Sequence, residues 1–310
     1  MPFFASEYEQ QKLYYQVYET EGEPRGIFQL VHGLAEHHMR YLDFIDWLNS
    51  LGYVVYAHDH LGHGHNVPEE LDLCHIGGPG AWRALVDDTW RMTEIATSEY
   101  PDLPLTLFCH SMGSLILRQY LADYGDVLKP TDTVILSGTG LISAPACKAV
   151  RPILKFIASF HESWKHNNDF LNSLFSFSMN RGMRPKRDPY AWLSPDPKAS
   201  KGYQEDPLTK SQYSLGTFLA LVDLCIALED KKNLKKLPKD VPILILAGAD
   251  DNFGDKAEGP SELHRRYVNY GMETVILEVF PGLRHELVNH EGNEPVLDAI
   301  EDFLETYQPL

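Results

Sequence analysis

The chain predicts an α/β fold, in which a mostly parallel central sheet is flanked by helices and one helical insertion interrupts the pattern. Three observations predict it. Short apolar, β-branched runs alternate with longer segments of helical period up to about residue 140 and again from 206 onward, as when strands are joined by crossover helices. The later apolar runs are nearly continuous, as expected of strands buried on both faces. Between 141 and 205 the alternation stops, and that stretch exceeds the roughly 12–15 residues of a simple loop.

Taken in order, the strands fall at 26–31, 53–58, 104–110, 131–137, 241–247 and 273–280, the last four reading as central. Residues 12–17 alternate like a strand in an antiparallel lead-in. Helices fill 39–51, 82–100, 112–124, 211–229, 259–270 and 294–307. The middle segment carries Pro145, Pro152, Pro185, Pro189, Pro195 and Pro197, with short amphipathic pieces at 149–164 and 170–179. It offers no strand to extend the sheet and therefore predicts a helical cap over the sheet's carboxyl edge. The division is a core of 1–140 and 206–310 with a cap of 141–205, which 310 residues accommodate.

An apolar fraction of 44% with 23% charged residues is that of a soluble globular chain. No run approaches the roughly 18–20 uninterrupted apolar residues of a membrane span. The start, Met1-Pro2-Phe3-Phe4-Ala5-Ser6-Glu7, lacks the basic and apolar regions of a secretory signal. Cys74, Cys109, Cys147 and Cys225 stand far apart with no CxxC pair, so they read as buried thiols in a reducing compartment. A cytoplasmic protein is the expectation. The net charge of −17 argues against a nucleic-acid partner. Residues 141–205 nevertheless hold ten Lys or Arg against five Asp or Glu, about +5, which leaves about −22 elsewhere. The cap is thus a surface of its own.

Cys109-His110-Ser111-Met112-Gly113 ends one predicted strand and opens the next helix. Strand, sharp turn and helix form the context of the nucleophile elbow in the α/β-hydrolase fold. The turn is tight, so the residues two before and two after the serine must be small. Gly113 satisfies this, and Cys109 puts a compact thiol where glycine is usual. The same serine also suits an ordinary helix N-cap, so the pentapeptide needs partners. A serine hydroxyl becomes nucleophilic when a histidine takes its proton and a carboxylate orients that histidine. In this fold the chain order is Ser, then Asp or Glu, then His.

Both partners are present in that order. Gly248-Ala249-Asp250-Asp251-Asn252 follows the fifth strand, and Pro281-Gly282-Leu283-Arg284-His285 follows the sixth. Both lie at carboxyl ends of strands, the edge where sites gather in open α/β sheets. An oxyanion needs two preorganised N–H groups. Met112, directly after Ser111 at a helix N-terminus, supplies one. Leu34, in the glycine-containing loop His32-Gly33-Leu34-Ala35-Glu36-His37, supplies the other.

His32-Gly33-Leu34-Ala35-Glu36-His37, Asp59-His60-Leu61-Gly62-His63-Gly64, His110-Ser111-Met112-Gly113 and Arg284-His285-Glu286-Leu287 resemble the blocks of the monoacylglycerol lipase and lysophospholipase group. That group is often labelled a serine aminopeptidase-type hydrolase domain. Trp192-Leu193-Ser194-Pro195-Asp196-Pro197 and Asp206-Pro207-Leu208 are similar to its bacterial lysophospholipase-like branch. The resemblance runs from about Gly26 to Leu304. It implies Ser111 as nucleophile, His285 as base and Asp251 as acid, three residues beyond Gly248, with Asp250 and Asp255 as fallbacks. It also implies esters such as monoacylglycerols or lysophospholipids as substrates and no cofactor or metal. Cys109, Ser114 and Asn66 depart from the group's pattern, the first two replacing glycines and the third a serine.

Other conspicuous residues admit more than one role. His58, Asp59, His60, His63 and His65 invite a metal, yet they lack the helical i, i+4 histidine pair of zinc hydrolases. Turn-forming residues beside the active edge are the simpler reading, and His32, Glu36, His37 and His38 are expected to brace the oxyanion loop. Most apolar cap residues pack the insertion onto the core, while some line a ligand pocket. The basic cluster Arg181, Arg184, Lys186 and Arg187 suggests transient membrane-surface contact through the cap, at anionic head groups. An amidase of aminopeptidase type and a catalytically inactive ligand receptor on the same fold are the alternatives.

Overall fold

The computed structural model describes residues 2–67, 73–161, 163–184, 188–209 and 212–308. Eight strands form one sheet: β1 (Phe3–Ala5), β2 (Lys12–Tyr18), β3 (Gly26–Val31), β4 (Tyr53–His58), β5 (Leu105–His110), β6 (Thr133–Ser137), β7 (Ile243–Gly248) and β8 (Val275–Phe280). Their spatial order is β1-β2-β4-β3-β5-β6-β7-β8. β1 and β2 pair antiparallel, as do β2 and β4, and every later pairing is parallel. The antiparallel lead-in is as expected, although the three-residue β1 is too short to leave a periodic signal.

The helices are α1 (Leu42–Ser50), α2 (Ala81–Glu99), α3 (Met112–Tyr124), α4 (Ala144–His161), α5 (Asp169–Met179), α6 (Pro197–Glu205), α7 (Leu215–Leu228), α8 (Lys231–Leu234), α9 (Glu258–Asn269) and α10 (Glu294–Tyr307). Side chains alternate across each strand, so the sheet feeds two cores. Ile27 and Val31 of β3 join the cluster under α2, α3, α7 and α9. Phe28 and Leu30 of the same strand join the cluster under α1 and α10. Strands β3 to β7 are buried throughout, which is why they read as continuous apolar runs.

One strand differs from expectation. β8 is an edge strand, with Val279 39% exposed and Glu278 facing solvent. Its apolar run resembles that of a central strand, and only the tertiary order reveals the open side.

After β6 the chain leaves the sheet and builds α4, α5 and α6 before α7 returns to the core. α4 begins at Ala144, earlier than the period suggested, because Pro145 fits a first turn where its missing N–H costs nothing. Pro152 lies inside the helix on an exposed face. α6, not anticipated, is started by Asp196, whose side chain accepts from Lys198 N at 2.9 Å, with Pro197 at its first position. α7 starts at Leu215, where the Ser214 hydroxyl accepts from Thr217 N. Among the described residues no helix is long and apolar enough to cross a membrane.

Candidate active site

Adjacent parallel strands bring distant loops to one edge. Val31 of β3 stands beside Cys109 of β5, His110 beside Ser137 of β6, and Gly248 of β7 beside Phe280 of β8. The loops that follow therefore meet. Ser111 leaves β5 at φ 53° and ψ −117°, a left-handed backbone that non-glycine residues adopt at a cost of about 1–3 kcal/mol. The turn pushes its side chain out beyond the strand ends. A Cβ on Gly113 would lie 2.3 Å from the Val31 carbonyl oxygen, so glycine is obligatory there.

The two departures from the elbow pattern are accommodated. The Ser114 hydroxyl donates to the Ser111 carbonyl at 2.6 Å and lies 2.9 Å from Thr139 Oγ1, tying the helix start to the loop after β6. Cys109 Sγ donates to the Ile135 carbonyl at 3.4 Å, fully buried in the sheet. Burial pushes the Cys109 thiol well up, so it stays protonated.

His285 Nε2 lies 2.7 Å from Ser111 Oγ, and its Nδ1 lies 2.9 Å from Asp251 Oδ2. An ionised carboxylate only accepts, so Nδ1 carries the proton and Nε2 accepts from the serine hydroxyl. The other Asp251 oxygen accepts from Phe253 N at 2.8 Å. Asp250 and Asp255 are exposed, so the structure gives the histidine hydrogen bond to Asp251 alone of the three. Position 248 must be glycine, because a Cβ there would meet the Arg284 carbonyl at 2.1 Å where the two loops touch.

Three rings enclose the imidazole, with centroids at 4.7 Å for His110, 4.8 Å for Trp192 and 5.3 Å for Phe253. Burial opposes protonation of His285, but the Asp251 charge and hydrogen bond outweigh it and raise the pKa above 6.5. His110, also buried and beside His285, is depressed to about 3 and stays neutral. If His285 must be neutral to accept a proton, kcat/KM rises with pH through a single ionisation whose midpoint lies above 6.5. A pH profile with its acid limb centred below 6.5 would contradict this assignment.

The loop after β3 passes against the elbow, since a Cβ on Gly33 would stand 3.0 Å from Ser111 Cβ. Leu34 follows Gly33 in that loop, and Met112 opens α3 directly after the serine. Glu36 holds the loop closed. Its Oε1 accepts from Gly33 N at 2.5 Å and from the Tyr41 hydroxyl at 2.7 Å. Arg40 Nη1 lies 2.7 Å from Glu36 Oε2 and 2.7 Å from Glu286 Oε1, so one guanidinium joins the Leu34 loop to the His285 loop. The Tyr203 hydroxyl, from α6, donates to the Ala35 carbonyl at 2.7 Å.

The histidine-rich stretch after β4 supports this loop. His32 Nε2 accepts from His60 N at 3.0 Å, so its Nδ1 donates to the Gly33 carbonyl at 2.8 Å. The buried Asp59 carboxylate accepts from the backbone N–H groups of His38 and His65, each at 2.9 Å, and from His38 Nδ1 at 2.8 Å. Ligand atoms of His38, Asp59 and His65 lie within 4.8 Å of one another. The carboxylate is already committed to backbone donors, which is the work of a turn brace. Asn66 Oδ1 accepts from Tyr14 N at 2.7 Å, fastening the same turn to β2.

The segment between α5 and α6 is pinned to the site. Leu193 O accepts from Glu286 N at 2.7 Å, Trp192 O from His285 N at 3.4 Å, and Ser194 O from the Arg284 guanidinium at 3.0 Å. Arg40, Glu286, Trp192 and Phe253 were not anticipated as site residues. The i, i+4 spacing of Glu36 and Arg40 was a usable signal, whereas the contact of Trp192 with His285 spans the fold and leaves none. Arg181 and Arg184 are exposed just after α5, while Lys186 and Arg187 lie outside the described residues.

A mostly parallel sheet with an elbow serine, a loop histidine and a loop aspartate at one edge defines a serine hydrolase of the α/β-hydrolase fold. The family model described as "Serine aminopeptidase, S33" matches residues 22–292, and the chain belongs to that hydrolase family. It is 27% identical to a monoacylglycerol lipase of Mycolicibacterium smegmatis over 94% of this chain and 92% of the relative. A carboxyl esterase from Bacillus coagulans, solved with glycerol, superposes with a TM-score of 0.86 at 29% identity, covering 98% of this chain and 96% of that one. A lipase solved in an open form gives a TM-score of 0.88 at 23% identity over 99% and 98%, a likeness of fold. The chain is a serine ester hydrolase of this superfamily.

Proposed function

We propose that Ser111, His285 and Asp251 form a catalytic triad that hydrolyses carboxylic esters through an acyl-enzyme. The hydrogen-bonded run from Asp251 through His285 to Ser111 carries this reading. Ser111 Oγ attacks the ester carbonyl while His285 Nε2 takes its proton, and Asp251 holds the imidazole in the tautomer that allows it. The backbone N–H groups of Leu34 and Met112 stabilise the oxyanion. His285 then protonates the departing alcohol, and water repeats the sequence to release the acid. Monoacylglycerols and lysophospholipids are the proposed substrates, supported by the activity named for the mycobacterial relative. Comparing a nitrophenyl ester with an amino-acid arylamide tests the reaction class. Ester cleavage lost in Ser111→Ala supports it, and arylamide cleavage without ester cleavage overturns it.

Residues 141–205 act in this proposal as a cap that rests transiently on a lipid surface. Ile153, Phe156 and Phe160 form one row on α4 and are 54%, 64% and 70% exposed. Phe170, Leu174 and Phe177 form a row on α5 and are 74%, 54% and 71% exposed. Arg181 and Arg184, exposed just after α5, suit anionic head groups. Phe156→Ser with Phe177→Ser is expected to weaken binding to phosphatidylglycerol vesicles about tenfold or more, from the apolar area lost. Sedimentation with vesicles measures it, and unchanged binding contradicts the proposal.

A further inference from the structure

The four cysteines stand far apart in the chain, and the fold brings two of them together. Helix α4 opens the insertion and packs along α7, the helix that returns to the core. The two run antiparallel in one register. Leu154 and Ala158 in the second half of α4 share an apolar cluster with Leu215 and Leu219 at the start of α7. Further back on α4, Arg151 grips the Asp223 carboxylate through Nε at 2.5 Å and Nη2 at 3.3 Å. Continuing that register, the next buried position of α4 is Cys147, and it falls opposite Cys225 near the end of α7. The two thiols lie within hydrogen-bonding reach, the Cys225 S–H donating to Cys147 Sγ.

Their surroundings make the two sulfurs unequal. The hydrogen bond from Cys225 holds the Cys147 thiol below its ordinary value, against the opposing effect of burial. The same bond and burial push the Cys225 thiol up. The larger thiolate fraction makes Cys147 the attacking sulfur and Cys225 the resolving one. Cys147 is buried under a thin cover, because Pro145, Ala146 and Lys148 beside it on α4 are exposed. A molecule the size of hydrogen peroxide has only a side chain's depth to cross. The other two cysteines have different surroundings. Cys109 Sγ donates to the Ile135 carbonyl inside the sheet, and Cys74 packs in a separate cluster with Ala35 and Tyr213.

We propose that Cys147 and Cys225 form a site of reversible oxidation, at which hydrogen peroxide joins α4 to α7 through a disulfide. The Cys147 thiolate attacks one peroxide oxygen, forming an S–O bond as the O–O bond breaks, and becomes a sulfenic acid while hydroxide leaves. That hydroxide takes the Cys225 proton and becomes water. The Cys225 thiolate then attacks the Cys147 sulfur, forming the S–S bond and expelling a second hydroxide, which takes up the proton Cys147 first lost. Two electrons from the sulfurs thus reduce one peroxide to two waters. The link joins residues 78 positions apart and encloses α5 and α6, so it restricts the unfolded chain strongly. To test this, the folded wild-type chain is exposed to excess hydrogen peroxide, its remaining thiols are blocked, and its peptides are mapped without reduction. A single Cys147–Cys225 link is expected, reversed by dithiothreitol, with a melting temperature about 5 °C or more above that of the reduced chain. In Cys225→Ser the sulfenic acid on Cys147 has no resolving thiol, so dimedone should trap it and the melting temperature should no longer rise. A link through Cys74 or Cys109, oxidation of wild-type Cys147 to the sulfinic acid without a link, or thiols left unmodified in the folded chain overturns the proposal.

Discussion

Ser111→Ala is expected to lower ester turnover by about 10⁵- to 10⁶-fold, the scale seen when a triad nucleophile is removed. The size follows from the geometry. The alanine methyl leaves His285 Nε2 with no hydroxyl to deprotonate, and no other nucleophile stands in its place. Cys109 is two residues away but buried in the sheet with its thiol held protonated. Binding and the N–H groups of Leu34 and Met112 remain, so a residual advantage of about 10³–10⁴ over water is expected. Stability should barely change, because a methyl fits wherever the hydroxymethyl did. Thermal unfolding beside single-turnover kinetics separates a lost nucleophile from a lost fold. A variant retaining even a hundredth of wild-type activity would remove Ser111 from the mechanism.

Arg40→Met should cost both stability and rate. Its guanidinium is 10% exposed and bridges Glu36 and Glu286, which are 3% and 2% exposed in their side chains. Burial alone would favour the neutral arginine, but the two carboxylates more than reverse it and raise its pKa. Without the arginine, two buried carboxylates face each other unpaired. Breaking a buried charge pair in this way costs about 3–5 kcal/mol, a large part of the roughly 5–15 kcal/mol of a typical domain. The same loss loosens the Leu34 loop and the His285 loop together. Misplacement of about 1 Å costs about 10² in rate, so kcat should fall further than KM changes. Arg40→Lys keeps the charge but its ammonium has a shorter reach than Nη1, the nitrogen that meets both carboxylates, and should recover stability better than kcat. An Arg40→Met chain with wild-type melting temperature and kcat contradicts this account.

Much of the candidate site's arrangement was legible because its residues sit at chain landmarks. Ser111, Asp251 and His285 each follow an apolar run, and parallel strands deliver such positions to one edge. The resemblance pointed to Asp251, with Asp250 and Asp255 as fallbacks. Their burial distinguishes them, since Asp251 is 2% exposed and the others face solvent. The helical insertion after β6 was legible as a break in alternation. Its internal helices were less so, because α6 is largely polar and is set by the Asp196 cap rather than by an apolar stripe. β8 was misread as central because its apolar run matches those of the buried strands, and strand order is a property of the whole sheet. Arg40 with Glu286, and Trp192 with His285, join positions far apart in the chain, which no local period announces.

The central claim is that Ser111 is the nucleophile activated by His285. Labelling the intact chain with a fluorophosphonate and mapping the adduct by peptide mass spectrometry tests it most directly. One adduct per chain is expected, on the peptide containing Ser111, absent in Ser111→Ala and strongly slowed in His285→Ala. An adduct on another residue, or labelling that survives in Ser111→Ala, would show that the nucleophile lies elsewhere.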